Sequence, residues 1–192
     1  MSDRKFNLPP IDYNVYAKKP GPGETGIPAI DAANRLNKLL CKDALTGCYS
    51  RNYYENYKTE IFDPNRDHNQ VGLIFVDVNG LKTINDTKGH KAGDDLIKKT
   101  ADFLKSSCRK EDMVFRIGGD EFVIICRNHN NHTNFEEDLY VNFEERRFSK
   151  APTDFAFGVA VFDKSRDLDL SGTEKRADIA MYENKAEMKM AE

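Results

Sequence analysis

Apolar positions fall into two kinds of run along this chain, and the spacing within each assigns an element. "QVGLIFVDV" (70–78) is apolar almost without a break over strand length, the pattern of a strand covered on both faces. "DMVFRI" and "FVIIC" are β-branched runs flanking two glycines and two carboxylates, which predicts a hairpin. As a turn, Gly118-Gly119 is enough, because glycine tolerates positive φ. "DFAFGVAVFD" predicts a further strand. Between these runs the period becomes helical. "LKTIND" reads as a short helix, and "KAGDDLIKKTADFLKSSCR" as a longer one with Ile97, Ala101, Leu104 and Cys108 on one stripe. "NFEEDLYVNFEERRF" and "GTEKRADIAMYENKAEMKM" predict two more helices. The order strand, helix, strand, strand, helix, strand, with helices added at both ends, suits a ferredoxin-like α+β sheet with helices on one face.

Ahead of this core, "IPAIDAANRLNKLLCKD" carries Ala29, Ala33, Leu36 and Leu40 at i, i+4, i+7 and i+11, a helical stripe able to pack on the domain or on a copy of itself. Residues 1–28 are polar and broken by Pro9-Pro10 and "PGPG", the marks of a linker or disordered arm. The expected organisation is an arm over 1–28, a linker helix over 29–42 and one domain over 43–192. A net charge of −3 with 32% charged residues gives no reason to expect a nucleic-acid polymer or an anionic membrane as partner. The apolar runs are too short to span a bilayer and "MSDRKFNLPP" has no signal-peptide core, so a cytoplasmic protein is expected. Cys41, Cys48, Cys108 and Cys126 lack CxxC spacing and read as reduced packing residues.

Charge at the hairpin changes the picture, because Asp120 and Glu121 are surplus to making a turn. Asp77 ends the first buried strand, and in the expected topology that strand lies beside the hairpin. Neighbouring strands lie roughly 4.8 Å apart, so Asp77 and Asp120 can serve one hard cation. Oxygen-only ligation favours Mg2+, with Mn2+ as a substitute. Two ordinary strand-end aspartates are the other reading of the same residues. In "DVNGLKTINDTKGHKAGD", Asn85, His90 and Asp94 crowd around Gly89 and Gly93. An aspartate can accept from guanine's ring N–H and exocyclic amine together, and an asparagine can both donate and accept at a purine edge. Against this, Asp94 is also a favourable helix-N-terminal residue, Asn85 a plausible helix end, and His90 an ordinary loop histidine. His129 and His132 read as solvated surface.

Together, "RIGGDEF", "DVNGLKTINDTKGHKAGDDL", "DALTGCYSRN" and "RADIAMYENKAEMK" resemble the GGDEF domain of the diguanylate cyclase family, over about residues 40 to 190. The resemblance implies a nucleotidyl-cyclase palm fold and condensation of two GTP molecules into cyclic di-GMP with release of pyrophosphate, one GTP held by each half of a homodimer. It implies that Asp77, Asp120 and the Val78 carbonyl bind metal. It places Asn85 and Asp94 on guanine and His90 against the nucleotide, and lets the backbone at Gly118 and Gly119 approach the substrate. Asp120 or Glu121 then assists loss of the 3′-hydroxyl proton. Lys185 and Lys189, four apart on the last helix, are placed to reach phosphates. Arg109 and Asp112 in "RKED" stand at the RxxD spacing of the family's inhibitory product site, where arginine's planar fork suits phosphate or guanine.

Several positions depart from the family's pattern. Asn79 stands where a second strand-end aspartate is common, "GCYSR" differs from the usual "GLxNR", and Lys189 replaces an arginine, which keeps the charge but loses the bidentate fork. The usual "GRN" ending is missing. The resemblance leaves two functions: an active diguanylate cyclase, or a catalytically silent module binding GTP or cyclic di-GMP as a regulator. The intact Asp77, Asp120, Glu121, Asn85 and Asp94 favour the enzyme, and Asp94 disfavours a mixed dinucleotide product.

Overall fold

The computed structural model describes residues 41–62, 71–128 and 133–191. The arm, most of the expected linker helix, and His129 and His132 lie outside the described residues. Five strands form the sheet: β1 (Tyr49–Ser50), β2 (Val71–Val78), β3 (Met113–Arg116), β4 (Glu121–Arg127) and β5 (Phe155–Val161). Their order is β1-β3-β4-β2-β5. β2 pairs antiparallel with both β4 and β5, and β3 with β4, while β1 lies parallel to β3. The four longer strands thus reproduce the ferredoxin-like arrangement that the element order implied.

The helices are α1 (Arg51–Asn56), which runs on into a π-helical turn Tyr57–Ile61, then α2 (Leu81–Lys88), α3 (His90–Ser107), α4 (Phe135–Lys150) and α5 (Leu170–Ala191). Ser50 starts α1, its hydroxyl accepting from the Tyr53 N–H. Side chains of β2 and β4 alternate between two buried layers. Leu73, Phe75, Val123 and Ile125 pack with Tyr53 and Tyr54 of α1 and with Ala177 and Met181 of α5. Ile74, Val76, Phe122 and Ile124 pack with Ile97, Ala101 and Leu104 of α3 and with Phe143 of α4. A strand covered on both faces needs an unbroken apolar run, which is what residues 71–76 supply. Each such side chain contributes about 1.5–3 kcal/mol by leaving water.

The helices inside the six-element unit, α3 and α4, share one face as expected. Those at its two ends, α1 and α5, cover the other, so the sheet is enclosed on both sides and the expectation of a single helical face holds only for the inner pair. Cys108 caps α3 in extended conformation and still packs against the same layer as Ile97, Ala101 and Leu104. Cys41, Cys48 and Cys126 are buried free thiols and Cys108 is half-buried and free, as their spacing implied. The last helix lies unusually close to the sheet: a Cβ at Gly158 would run into the Met181 nitrogen and the Ala177 carbonyl. That approach fixes the height at which α5 carries its lysines past the end of β2. Among the described residues, no helix is long and apolar enough to cross a membrane.

Candidate active site

Register brings the carboxylates together. Asp77 sits opposite Glu121 in the β2–β4 ladder, and the next residue's N–H, on Val78, donates to the Asp120 carbonyl at 3.0 Å. Asp77, Asp120 and Glu121 therefore gather at one end of two adjacent strands, the arrangement expected from the sequence. Partial burial, and then the negative charges of Asp120, Asp77 and Asp178, push the Glu121 carboxyl up from its ordinary 4.5, while Arg51 opposes the shift. Asp77, Asp120, Glu121 and the strand-end carbonyl are hard oxygen donors of the kind a divalent cation takes together with water or phosphate, although among the described residues no three Asp, Glu, His or Cys side chains are grouped so as to hold an ion by themselves.

The loop carrying these charges differs from the expected two-glycine turn. Ile117–Asp120 connects the strands, closed by the Ile117 N–H donating to the Glu121 carbonyl at 2.9 Å and the Gly118 N–H at 3.3 Å. Neither Gly118 nor Gly119 has positive φ; among the described residues that conformation belongs to Gly47, Gly80 and Gly89. The missing side chain at Gly118 leaves room for Glu121: a Cβ there would run into Glu121 Oε2, the movable end of that side chain, and stand 3.1 Å from its Cδ. Gly119 has open space where a Cβ would lie.

Two arginines hold this loop, and neither was singled out from the sequence. Arg116 donates to the Gly119 carbonyl at 2.7 Å and to Asp43 Oδ1 at 3.2 Å. Asp43 also accepts from the Thr46 N–H at 2.9 Å and its hydroxyl at 2.6 Å. Burial would raise the Asp43 carboxyl, but the Thr46 and Arg116 contacts prevail and hold it below its ordinary value. Arg51 donates to the Ile117 carbonyl at 3.3 Å. Asp43 and Arg51 stand in "DALTGCYSRN", so the motif was visible, but its partner lies 73 positions away.

The guanine candidates converge on the α2–α3 corner. Gly89, at φ +82°, breaks the two helices apart, and its N–H donates to the Asn85 carbonyl at 2.9 Å. A Cβ at Gly93 would run into Asn85 Oδ1, so Gly93 is the space into which the Asn85 amide folds. His90 and Asp94 are exposed in the first turns of α3. On α5, Lys185 Nζ donates to Asp77 Oδ1 at 2.6 Å, whereas Lys189 is exposed. Asn79, at the departure from the family pattern, donates its N–H to the Asp154 carbonyl at 3.0 Å.

Arg109 and Asp112 form a turn closed on itself: the Arg109 N–H donates to Asp112 Oδ2 at 2.8 Å, and the Asp112 N–H to the Arg109 carbonyl at 3.1 Å. Burial pushes the Asp112 carboxyl up against the hydrogen bonds from the Arg109 and Arg127 N–H groups. Beside the turn lies a cavity of about 290 Å³ with Ile74, Cys126 and Phe143 among its apolar lining and Arg109, Asp112 and Arg146 among its polar lining. Arg146 was not foreseen. Because Arg127 pairs with Val71 while Glu121 pairs with Asp77, this cavity opens at the far end of β4, roughly 20 Å of strand from the carboxylates.

Comparison with known proteins identifies the family and the fold. The family model for the diguanylate cyclase GGDEF domain covers residues 41–191. The diguanylate cyclase DgcS of Shewanella oneidensis is 45% identical over 84 residues, 43% of this chain and 28% of that protein. The signaling protein YkoW of Bacillus subtilis is 30% identical over 164 residues, 79% of this chain and 20% of its own length. The chain thus spans less than a third of either relative. A microbial GGDEF domain studied for its interaction with cyclic di-GMP superposes with a TM-score of 0.63 at 26% identity, covering 77% of this chain and 94% of that one. The coiled coil and GGDEF domain of DgcB from Caulobacter crescentus shares the fold at a TM-score of 0.70 and 19% identity, over 83% of this chain and 88% of that one. With its nucleotidyl-cyclase palm sheet and carboxylate-bearing hairpin, this chain belongs to the GGDEF-domain family of diguanylate cyclases.

Proposed function

We propose that the protein is a diguanylate cyclase that condenses two GTP molecules into cyclic di-GMP and pyrophosphate as a homodimer, using Mg2+ or Mn2+. The observation that carries this reading is the β2–β4 register, which sets Asp77 against Glu121 with the Asp120 backbone bonded to Val78. Asp77, Asp120 and the Val78 carbonyl would hold the cation. When bound, it supplies charge neutralisation at the α-phosphate.

The protein's own side chains do the rest. Asn85 and Asp94, on either side of the Gly89 corner, read the guanine edge, with His90 against the nucleotide. Gly118 and Gly119 keep the loop low beside the substrate. Lys185 and Lys189 balance the triphosphate. Glu121, whose carboxyl is pushed up by burial and then by its acidic neighbours, stands beside Asp120 as the acceptor for the 3′-hydroxyl proton. Each chain offers one such half-site, so joining two GTP molecules requires a second copy facing it. The Arg109–Asp112 turn with its neighbouring cavity is suited to product and would restrain turnover from the far end of the hairpin.

A silent regulatory module is the competing reading, and one experiment separates them. Purified protein incubated with GTP and Mg2+ should yield cyclic di-GMP, with ATP ignored and the progress curve flattening as product accumulates. Binding of GTP without any dinucleotide would establish the silent module.

A further inference from the structure

The contact between Lys185 and Asp77 is the unexpected feature of this site. Lys185 was placed toward phosphates, yet its ammonium donates to the carboxylate that faces the hairpin, at 2.6 Å and across 108 positions of sequence. The pair is largely withdrawn from water, with 28% of the lysine side chain and 13% of the aspartate side chain exposed. It is also held in place. The preceding residue, Asn184, accepts the Phe157 N–H at 3.2 Å, and Phe157 pairs with Val76, one step from Asp77. Gly158 fixes α5 against β5 at the same level. The lysine is thus delivered to the end of β2 by the packing of the helix.

A divalent ion on Asp77 and an ammonium on the same carboxylate stand within a few ångströms of each other, and in a shielded site that repulsion is strong. We propose that Lys185 is an exchangeable counter-cation: it neutralises Asp77 while no divalent ion is bound, and it swings to the triphosphate when the ion takes its place. This rests on Asp77 being a cation ligand, as proposed above. Lysine suits such a role better than arginine, since its compact charge sits on a flexible stem and is not locked into a bidentate fork. The consequence is coupling. A cation frees the lysine for phosphate, and phosphate draws the lysine away from the cation's ligand, so each should tighten the other's binding by the same factor.

Mn2+ binding followed by electron paramagnetic resonance tests this without turnover, on the wild type, Lys185→Met, Lys185→Arg and Asp77→Asn, with and without a non-hydrolysable GTP analogue. Lys185→Met should bind Mn2+ about tenfold more tightly in the absence of nucleotide. The enhancement of Mn2+ affinity by the GTP analogue should shrink in that variant, and Lys185→Arg, which keeps the charge but holds Asp77 with a fork, should bind Mn2+ no more tightly than the wild type in the absence of nucleotide. Lys185→Gln, which is closer in size and polarity, should behave as Lys185→Met does and covers a folding failure of the latter. Unchanged or weakened Mn2+ affinity in the Met and Gln variants, with Asp77→Asn weakened, overturns the exchange and leaves the cation site standing. Equal Mn2+ binding by the wild type and Asp77→Asn, or none by either, overturns both.

Discussion

Two acidic groups lie at opposite ends of the sheet and are treated in opposite ways. At the end of β2, Asp77, Asp120 and Glu121 gather with one lysine in contact, and Glu121 holds its proton more tightly than usual. Beyond the end of β5, Asp163 and Asp167 are surrounded by donors. Asp163 accepts from the Ser165 N–H at 2.9 Å, the Ser165 hydroxyl at 2.7 Å and Arg166 at 2.8 Å; the Ser165 bonds are the main reason its carboxyl falls to about 2. Asp167, with 2% of its side chain exposed, pairs with Arg176 and accepts from the Thr173 hydroxyl at 2.8 Å and the Asp163 N–H at 3.0 Å. Burial pushes Asp167 up, yet these partners outweigh it and the net shift is downward. Carboxylates that serve the fold are neutralised within it. At the hairpin the three carboxylates share one direct lysine contact, on Asp77, and Glu121 remains shifted upward.

The sharpest way to break this contrast is to remove one carboxylate from each group. Asp77→Asn and Asp120→Ala should each lower cyclic di-GMP formation by about a thousandfold or more, since a cation's charge stabilisation is worth several kcal/mol in such a reaction. The melting temperature of Asp120→Ala should be unchanged or higher, because it relieves repulsion and removes no core volume, whereas Asp77→Asn also gives up the Lys185 contact and should lose a little stability. A fall in melting temperature for Asp120→Ala would mean that the hairpin carboxylates are structural after all.

Asp167→Ala should do the reverse. It leaves Arg176 facing a buried space and should destabilise the fold by about 3 kcal/mol, with KM for GTP unaltered. The pH dependence supplies a second check on the same residue. Its carboxyl is held below the ordinary 3.8, so its contribution is fully present above that value and is lost as pH falls through the lower folded-state value. Denaturant titrations should therefore show the gap between wild type and Asp167→Ala constant from pH 7 to about 5 and narrowing below 3.8. A constant gap down to pH 2 would place the effect in packing and not in charge.

How much of this could be read in advance follows from sequence distance. Unbroken apolar runs of strand length identified β2 and β4, since each is a property of fewer than ten consecutive residues, whereas the register that sets Asp77 against Glu121 joins positions 44 apart and came only with the structure. The α3 stripe was legible for the same reason, with Cys108 on the same layer, although as the helix's cap and not its last residue, because nothing local distinguishes the two. Contacts that close the site were not legible. Arg116 meets Asp43 across 73 positions and Lys185 meets Asp77 across 108, and in both cases a charged residue at an element's end has many conceivable partners. At Gly118 the positive-φ turn that the glycine pair suggests is not formed, since the four-residue connection Ile117–Asp120 closes without one, and the missing side chain leaves room for Glu121.

That distinction yields the smallest of the expected effects and the finest test of the contrast. Alanine at Gly118 meets no backbone penalty, since φ there lies outside the left-handed region. Its methyl group would displace the Glu121 carboxylate, the free end of a flexible side chain. Stability should therefore change by less than about 0.5 kcal/mol, as for other surface substitutions. Turnover should fall by roughly tenfold, because a proton acceptor moved by about an ångström loses alignment with the group it serves. Alanine at Gly119 meets nothing within 4 Å in the protein itself. If the hairpin glycines are there only to seat Glu121, Gly119→Ala should keep wild-type kcat and KM. A raised KM for GTP in Gly119→Ala, with kcat held, would instead show the substrate lying against the loop backbone. The two glycines would then divide the work, Gly118 making room for the protein's own carboxylate and Gly119 for the nucleotide.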